Sequence, residues 1–338
     1  MWKHWELRAT EPAWHVILHP DTAAQDITRR LSERLVSLVV TCQTSTTADQ
    51  LDLVLSDTEG NLQIPPTGAV LAISLGATPE RVALLGHFTV DELEYTSPPR
   101  RLRITGRATN VASAWHEKKE RSWSDLTLGT LAATLAQHHD LALSITAPLA
   151  DIALGHVDQT NESDLNLITR LAKQYGANAT VKASQLLILG AGATESATGK
   201  ALPAIHINER DTSQWRWTSH DRTKYTGVCA RWHDKAAANQ ITVTAGQPGC
   251  LFTLEDTYPD QQSAVAAAAN QLAQFLRGSG QLDITLPQGD TTRQPGAPCT
   301  LSGFHPLIDA TAWRSTHVTH RLDSGGYTQQ MQLEVMGK

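Results

Sequence analysis

A polar run with an abrupt helical sequel sets the first constraint on this chain. Asp158-Gln159-Thr160-Asn161-Glu162-Ser163-Asp164 is followed by Leu165, Ile168, Ala172 and Tyr175, which recur at the spacing of one helical face. The pattern predicts a polar turn that starts a helix over 162–175. Asn161 is the expected N-cap, and Glu162 and Asp164 place negative charge in the first turn, where the helix dipole favours it. Gly176 suits the position just past the helix end. Residues 179–182 and 185–189 then read as the arms of a short hairpin. As pattern alone, this is an ordinary helix–hairpin unit.

Around that unit the chain reads mostly as strands. Leu51, Leu53 and Leu55 alternate with Asp52, Val54 and Ser56, the period of a half-buried strand. Residues 70–75 and 82–95 continue the series, the latter with a bulge expected at Gly86. Ser97-Pro98-Pro99 breaks it before a return strand through Leu102 and Ile104. The middle changes character, with a helix over 127–137 whose Leu128, Leu131 and Leu135 share one side. Strand patterns return at 225–232 and 240–244. An Ala-rich helix then runs from Asp260 to Arg277, with Val265, Ala269, Leu272 and Leu276 on one expected core face. Strands at 282–286 and 299–303 precede a final hairpin, arms 313–322 and 327–335, turned by Asp323-Ser324-Gly325-Gly326.

The wording of the segments is more specific than their spacing. DQTNESDLNLITRLAKQYGANATVK at 158–182 resembles the signature of the late control D family of contractile-tail phages, the baseplate tail hubs. These are similar to the first part of type VI secretion spike proteins. ADQLDLVLSDTEG, PPTGAVLAISLG, GHFTVDELEYTSPPRRLRITGRA and ERSWSDLTLGTLAATLA resemble the family's earlier segments, in family order. DRTKYTGVCARWHD and LSGFHPLIDATAW resemble its C-terminal half. The resemblance implies a fold class of α+β, mainly β: two tail-tube-like β-barrels with a small α/β domain between them. The expected domains are 1–110, 111–203 and 204–338.

It also implies a function. The expected protein is a structural, non-enzymatic hub that joins a six-fold tail tube to a three-fold central spike. A homotrimer with two barrels per chain offers six barrels to the tube and three-fold symmetry to the spike. The chain ends at Lys338 without β-helix repeats, so the spike is expected to be a separate protein. Tail tube, tape measure and baseplate wedge components complete the expected partners, in a virion or tail-like particle assembled in the host cytoplasm. The competing reading is a cell-wall-binding or peptidoglycan-cleaving tail protein.

Composition bears on what the chain excludes. With 28 Lys and Arg against 34 Asp and Glu, the net charge is −6 and no basic block appears, which speaks against a duplex-binding surface. No apolar run is long enough to insert in a membrane. Cys42, Cys229, Cys250 and Cys299 form no CxxC pair and read as buried free thiols. Cofactors and metals are not expected. Gly190-Ala191-Gly192-Ala193-Thr194-Glu195 and Gly199-Lys200 miss the nucleotide-binding patterns. His317 and His320 fall on opposite strand faces, and His138 and His139 sit at a helix end. Asp158, Glu162 and Asp164 could supply paired carboxylates for glycoside hydrolysis, although capping accounts for them. Nine tryptophans, Trp2, Trp5, Trp14, Trp115, Trp123, Trp215, Trp217, Trp232 and Trp313, suit cores and subunit interfaces better than carbohydrate binding.

Overall fold

The structure is a computed structural model and describes residues 12–19, 24–44, 48–108, 115, 117–182, 185–194, 200–219, 225–234, 239–258, 260–277 and 279–336. Trp2, Trp5 and 195–199, with Gly199, lie outside the described residues. The first half contains β1 (Ala13–His19), β2 (Gln25–Asp26), α1 (Thr28–Leu31), β3 (Leu35–Gln43), β4 (Gln50–Ser56), β5 (Val70–Gly76), β6 (Ala83–Thr96) and β7 (Arg101–Ala108). The middle contains β8 (Lys118–Thr127), α2 (Leu128–His138), β9 (Ala142–Ile145), α3 (Ala147–Ala150), β10 (Ala153–Ser163), α4 (Asp164–Gln174), β11 (Ala177–Lys182) and β12 (Gln185–Gly190). The rest contains β13 (Ile205–Asn208), β14 (Gln214–Ser219), β15 (Gly227–Asp234), β16 (Asn239–Gly246), β17 (Leu251–Tyr258), α5 (Gln261–Arg277), β18 (Gly280–Leu286), β19 (Pro298–Ser302), α6 (Pro306–Asp309), β20 (Trp313–Asp323) and β21 (Gly326–Val335). The fold is mainly β.

The strands of the two halves pair into one sheet. Its order is β14-β18-β21-β20-β3-β4-β7-β6-β5-β1-β2, with β13 and β19 branching from β20. The join is antiparallel pairing of β20 with β3, from His317↔Gln43 to Asp323↔Ser37. Among the described residues this path is open, and does not trace the two closed barrels that were expected. The edge of each half is satisfied by the edge of the other. One face of the sheet is mainly apolar, with His320 and Gln329 buried among its side chains. Leu38, Val40, Leu51, Leu53 and Leu55 build the first core, which also takes Leu322 and Tyr327 from the last hairpin. Leu282, Ile284, Trp313, Val318, Met331 and Leu333 build the adjoining one. The strand period of two puts Asp52, Arg103, Thr319 and Gln332 on the opposite, polar face.

The middle has its own core, in which Leu128, Leu131 and Leu135 of α2 meet Leu167, Ile168 and Leu171 of α4. Thr127 caps α2 in a capping box with Thr130. A further unit, unforeseen from pattern, lies between β14 and β18. β16-β15-β17 form a separate sheet, and α5 packs on it through Ala264, Ala267 and Ala268. This reverses the expected core face of α5. Val265 and Leu276 are 47% and 41% exposed, Ala269 is exposed too, and Leu272 is half-buried. The small alanines let the helix lie close to the sheet, and that close packing outweighs the larger side chains' preference for burial. Gly176 has φ +68°, as expected past a helix end, and a Cβ there would meet the Asn270 side chain of α5 at 2.3 Å. The middle unit and α5 therefore touch at this point.

Candidate functional site

The polar run that opens the signature is a strand, not a turn. β10 pairs antiparallel with β8, from Ala153↔Thr127 to Ser163↔Lys118, with an irregularity between Gln159 and Glu162. Asn161 occupies that irregularity at φ +51° and is exposed. It is not the N-cap. Pairing with Lys118 and Lys119 holds Glu162 and Ser163 in the sheet, so the helix starts two residues later than expected. Ser163 is the cap, its Oγ accepting from the Asn166 N–H at 3.2 Å. The buried face of α4 is Asp164, Leu167, Ile168, Leu171 and Ala172, whereas Leu165 and Tyr175 are only half-buried.

Asp164 is the centre of the arrangement. Its side chain is fully buried, and it collects donors from three elements. Lys119 Nζ of β8 donates to Oδ2 at 2.6 Å, and His139 Nε2, at the end of α2, lies 2.9 Å from the same oxygen. Gln159 Nε2 of β10 donates to Oδ1 at 2.8 Å. Arg121 Nη1 is 3.7 Å from Oδ1, too far for a hydrogen bond but close enough for its charge to act. Burial alone would raise the Asp164 pKa. The bonds from Lys119, Gln159 and His139 outweigh it and hold the carboxyl at about 2 against an ordinary 3.8. Around this core, the His139 ring stacks on Trp115 at 4.1 Å. Trp123 Nε1 donates to Gln159 Oε1 at 3.3 Å.

The other signature residues face outward or brace the helix. Glu162 receives Arg170 Nε at 3.0 Å, Arg170 Nη2 at 2.8 Å and Asn166 Nδ2 at 2.9 Å. Thr160 is exposed. Asp158 is exposed and accepts from Ser122 Oγ at 2.8 Å. This arrangement does not fit acid–base hydrolysis. A glycosidase acid needs a raised pKa, and Asp164 is driven the other way. Glu162 is bound by Arg170.

The remaining candidates separate in space. His320 is buried, its Nδ1 2.6 Å from Tyr327 Oη, and burial pushes its pKa down to about 4. His317 instead meets Thr316 Oγ1 at 3.1 Å, and His138 is exposed. Among the described residues no group of three or more His, Cys, Asp or Glu converges as metal ligands would. Ala193 in the Gly-rich loop gives its carbonyl to Arg314 at 3.2 Å. Cys42, Cys229 and Cys299 are buried, but Cys250, also expected to be buried, is exposed just before β17. Trp115 and Trp313 are fully buried and Trp217 is 39% exposed. No helix among the described residues is long and apolar enough to cross a membrane.

Comparison with known proteins agrees with this picture. A family model described as phage tail baseplate hub (GPD) matches residues 29–326. The probable baseplate hub protein of Escherichia phage 186 is 33% identical over 353 aligned positions, covering 92% of this chain and 91% of its own. Among solved structures, the 43 kDa tail protein of prophage MuSo2 from Shewanella oneidensis superposes with TM-score 0.70 at 11% identity, over 94% of this chain and 98% of that one. The E. coli c3393 protein, described as a component of the type VI secretion system, superposes with TM-score 0.57 at 12% identity, over 89% and 73% of the two chains. At such identities the structural matches establish a shared fold.

Proposed function

The chain belongs to the phage tail baseplate hub family, and from that membership we propose that it joins a six-fold tail tube to a separate, three-fold central spike as a homotrimer. The observation that carries this reading is the β3–β20 join, which makes the two strand-rich halves one body. Two tube-facing units per chain, three times over, match a six-fold ring without losing three-fold symmetry. On this reading residues 1–110 and 204–338 are the hub units and 111–203 the domain between them. Within the signature, Gln159, Glu162, Ser163 and Asp164 tie that domain together. Tube, spike, tape measure and wedge components are the partners, within a virion or tail-like particle.

Light scattering of the purified chain, alone and mixed with its spike protein, tests the assembly. Three copies per complex are expected. The isolated chain can stay monomeric until a partner completes the interface. A stable ring of two or six copies would sink the trimer.

On this reading the hub ring is a channel through which the tape measure and then DNA pass, so it must not hold DNA, and a net charge of −6 repels phosphate on balance. Duplex DNA is therefore expected to show no measurable binding near physiological salt in an electrophoretic shift assay. Tight retention that weakens steeply with salt would contradict the reading. A muramidase assay on the purified chain addresses the wall-cleaving alternative, for which no activity is expected.

A further inference from the structure

The outward face of the β8–β10 pair carries an arrangement that the hub role does not use. Ser124 and His156 are cross-strand partners, and Asp158 follows His156 two residues on, so all three share one face. Ser124 Oγ is 2.9 Å from His156 Nδ1, and His156 Nε2 is 3.0 Å from Asp158 Oδ1. Ser122 Oγ donates to the same Asp158 oxygen at 2.8 Å. An ionised carboxylate only accepts, so a neutral His156 carries its hydrogen on Nε2. Nδ1 is then left as acceptor for the Ser124 hydroxyl. The backbone beneath is pinned from inside, because Trp123 and Gln159, the inward neighbours of these residues, bond to each other and Gln159 bonds on to Asp164.

We propose that Ser124 is a nucleophile, with His156 as its base and Asp158 as the residue that orients His156, and that the site takes small activated acyl esters. Ser124 Oγ attacks the ester carbonyl carbon while its proton passes to His156 Nδ1. The C–O bond to the leaving group breaks with its electron pair going to the leaving oxygen, which takes the proton held on His156 Nδ1 and departs as the alcohol or phenol, and Ser124 is left as an acyl ester. Water then attacks that ester with His156 again as base, releasing the carboxylic acid and free Ser124. The three residues provide nucleophile, base and orienter. Oxyanion donors, which contribute roughly 10²–10³ in rate elsewhere, are not among them. Esters with good leaving groups are therefore the substrate class, and amides are not. The exposed setting, with His156 and Asp158 side chains 59% and 58% accessible, admits small acyl groups without selecting among them. This inference stands apart from the hub assignment.

The test uses the full chain and p-nitrophenyl acetate, following phenolate release and mapping the acetyl group by peptide mass spectrometry. Acetylation at Ser124 is expected, with an initial rate roughly 10²-fold above that of Ser124→Ala or His156→Ala, the usual scale of general-base assistance. Asp158→Asn should slow acetylation without moving it from Ser124, and Asp158→Glu should restore part of the rate. A purely structural aspartate would not give that rescue. These are surface positions, so the variants should melt with the wild type, which separates lost chemistry from lost fold. Acetyl found only elsewhere, or a Ser124 rate unchanged in His156→Ala, would overturn the proposal.

Discussion

Replacing Asp164 with alanine is expected to cost about 3–5 kcal/mol, the scale for removing one partner of a buried ion pair. The cost arises because Lys119, Gln159 and His139 all lose their acceptor at once. Lys119 is 21% exposed and can regain some water, which pulls the result toward the lower end. Urea unfolding followed by tryptophan fluorescence is the measurement, with Trp115, stacked on His139, reporting from inside the affected core. Acid provides a second readout. Asp164 has a folded pKa of about 2, below its ordinary 3.8. Its stabilisation is therefore complete above about pH 4 and lost as pH falls toward 2, a loss of about 2 kcal/mol by linkage. Asp164→Asn should lack that component of the acid slope. An identical slope in wild type and variant would show that the carboxylate does not hold the middle unit together.

Trp313→Ala is expected to cost a similar amount, about 3–5 kcal/mol, by a different route. Trp313 is 1% exposed in the core shared by β18, β20 and β21. Its indole N–H donates to the Ile308 carbonyl at 2.9 Å. Alanine leaves both a cavity and an unpaired buried carbonyl. Trp313→Phe keeps most of the volume and loses only the bond, so about 1–3 kcal/mol is expected there. Thermal melting of the pair measures the difference. Equal losses in both variants would mean that the hydrogen bond, and not the packing, dominates.

Strand-by-strand periodicity made much of the fold legible. The alternation in Leu51, Leu53 and Leu55 marks β4 directly, and the bulge expected at Gly86 falls where β6 slips register against β5. What stayed hidden depended on neighbours distant in sequence. Nothing local distinguishes the start of α4 at Asp164 from a start at Glu162. The difference is made by Lys118 and Lys119, which hold the preceding residues in a ladder although 45 residues separate Lys119 from Asp164. Asp164 itself looked like a first-turn charge, because a carboxylate's burial depends on donors that only the folded chain brings together. The α5 face was misassigned for a related reason. Its larger apolar residues suggested the core side, but close approach to the sheet selected the alanines. The pairing of β3 with β20 could not be read from either strand alone, since β3 is a nearly continuous apolar run, β20 is mostly polar between Trp313, Val318 and Leu322, and neither sequence names its partner.

The β3–β20 join also fixes when this protein can finish folding during synthesis. Thr41 and Thr319 come together across 278 residues of chain. Leu322 and Tyr327 are buried among the side chains of the first half. A nascent chain that has just completed β7 thus leaves the ribosome with an unfilled core and an unpaired edge at β3, both waiting on β20 and β21, which are made much later. Contacts of such long range are slow to form and leave apolar surface open in the interval. The amino-terminal half is therefore a dependent fragment, and the hairpin of β20 and β21 decides whether its core is ever completed.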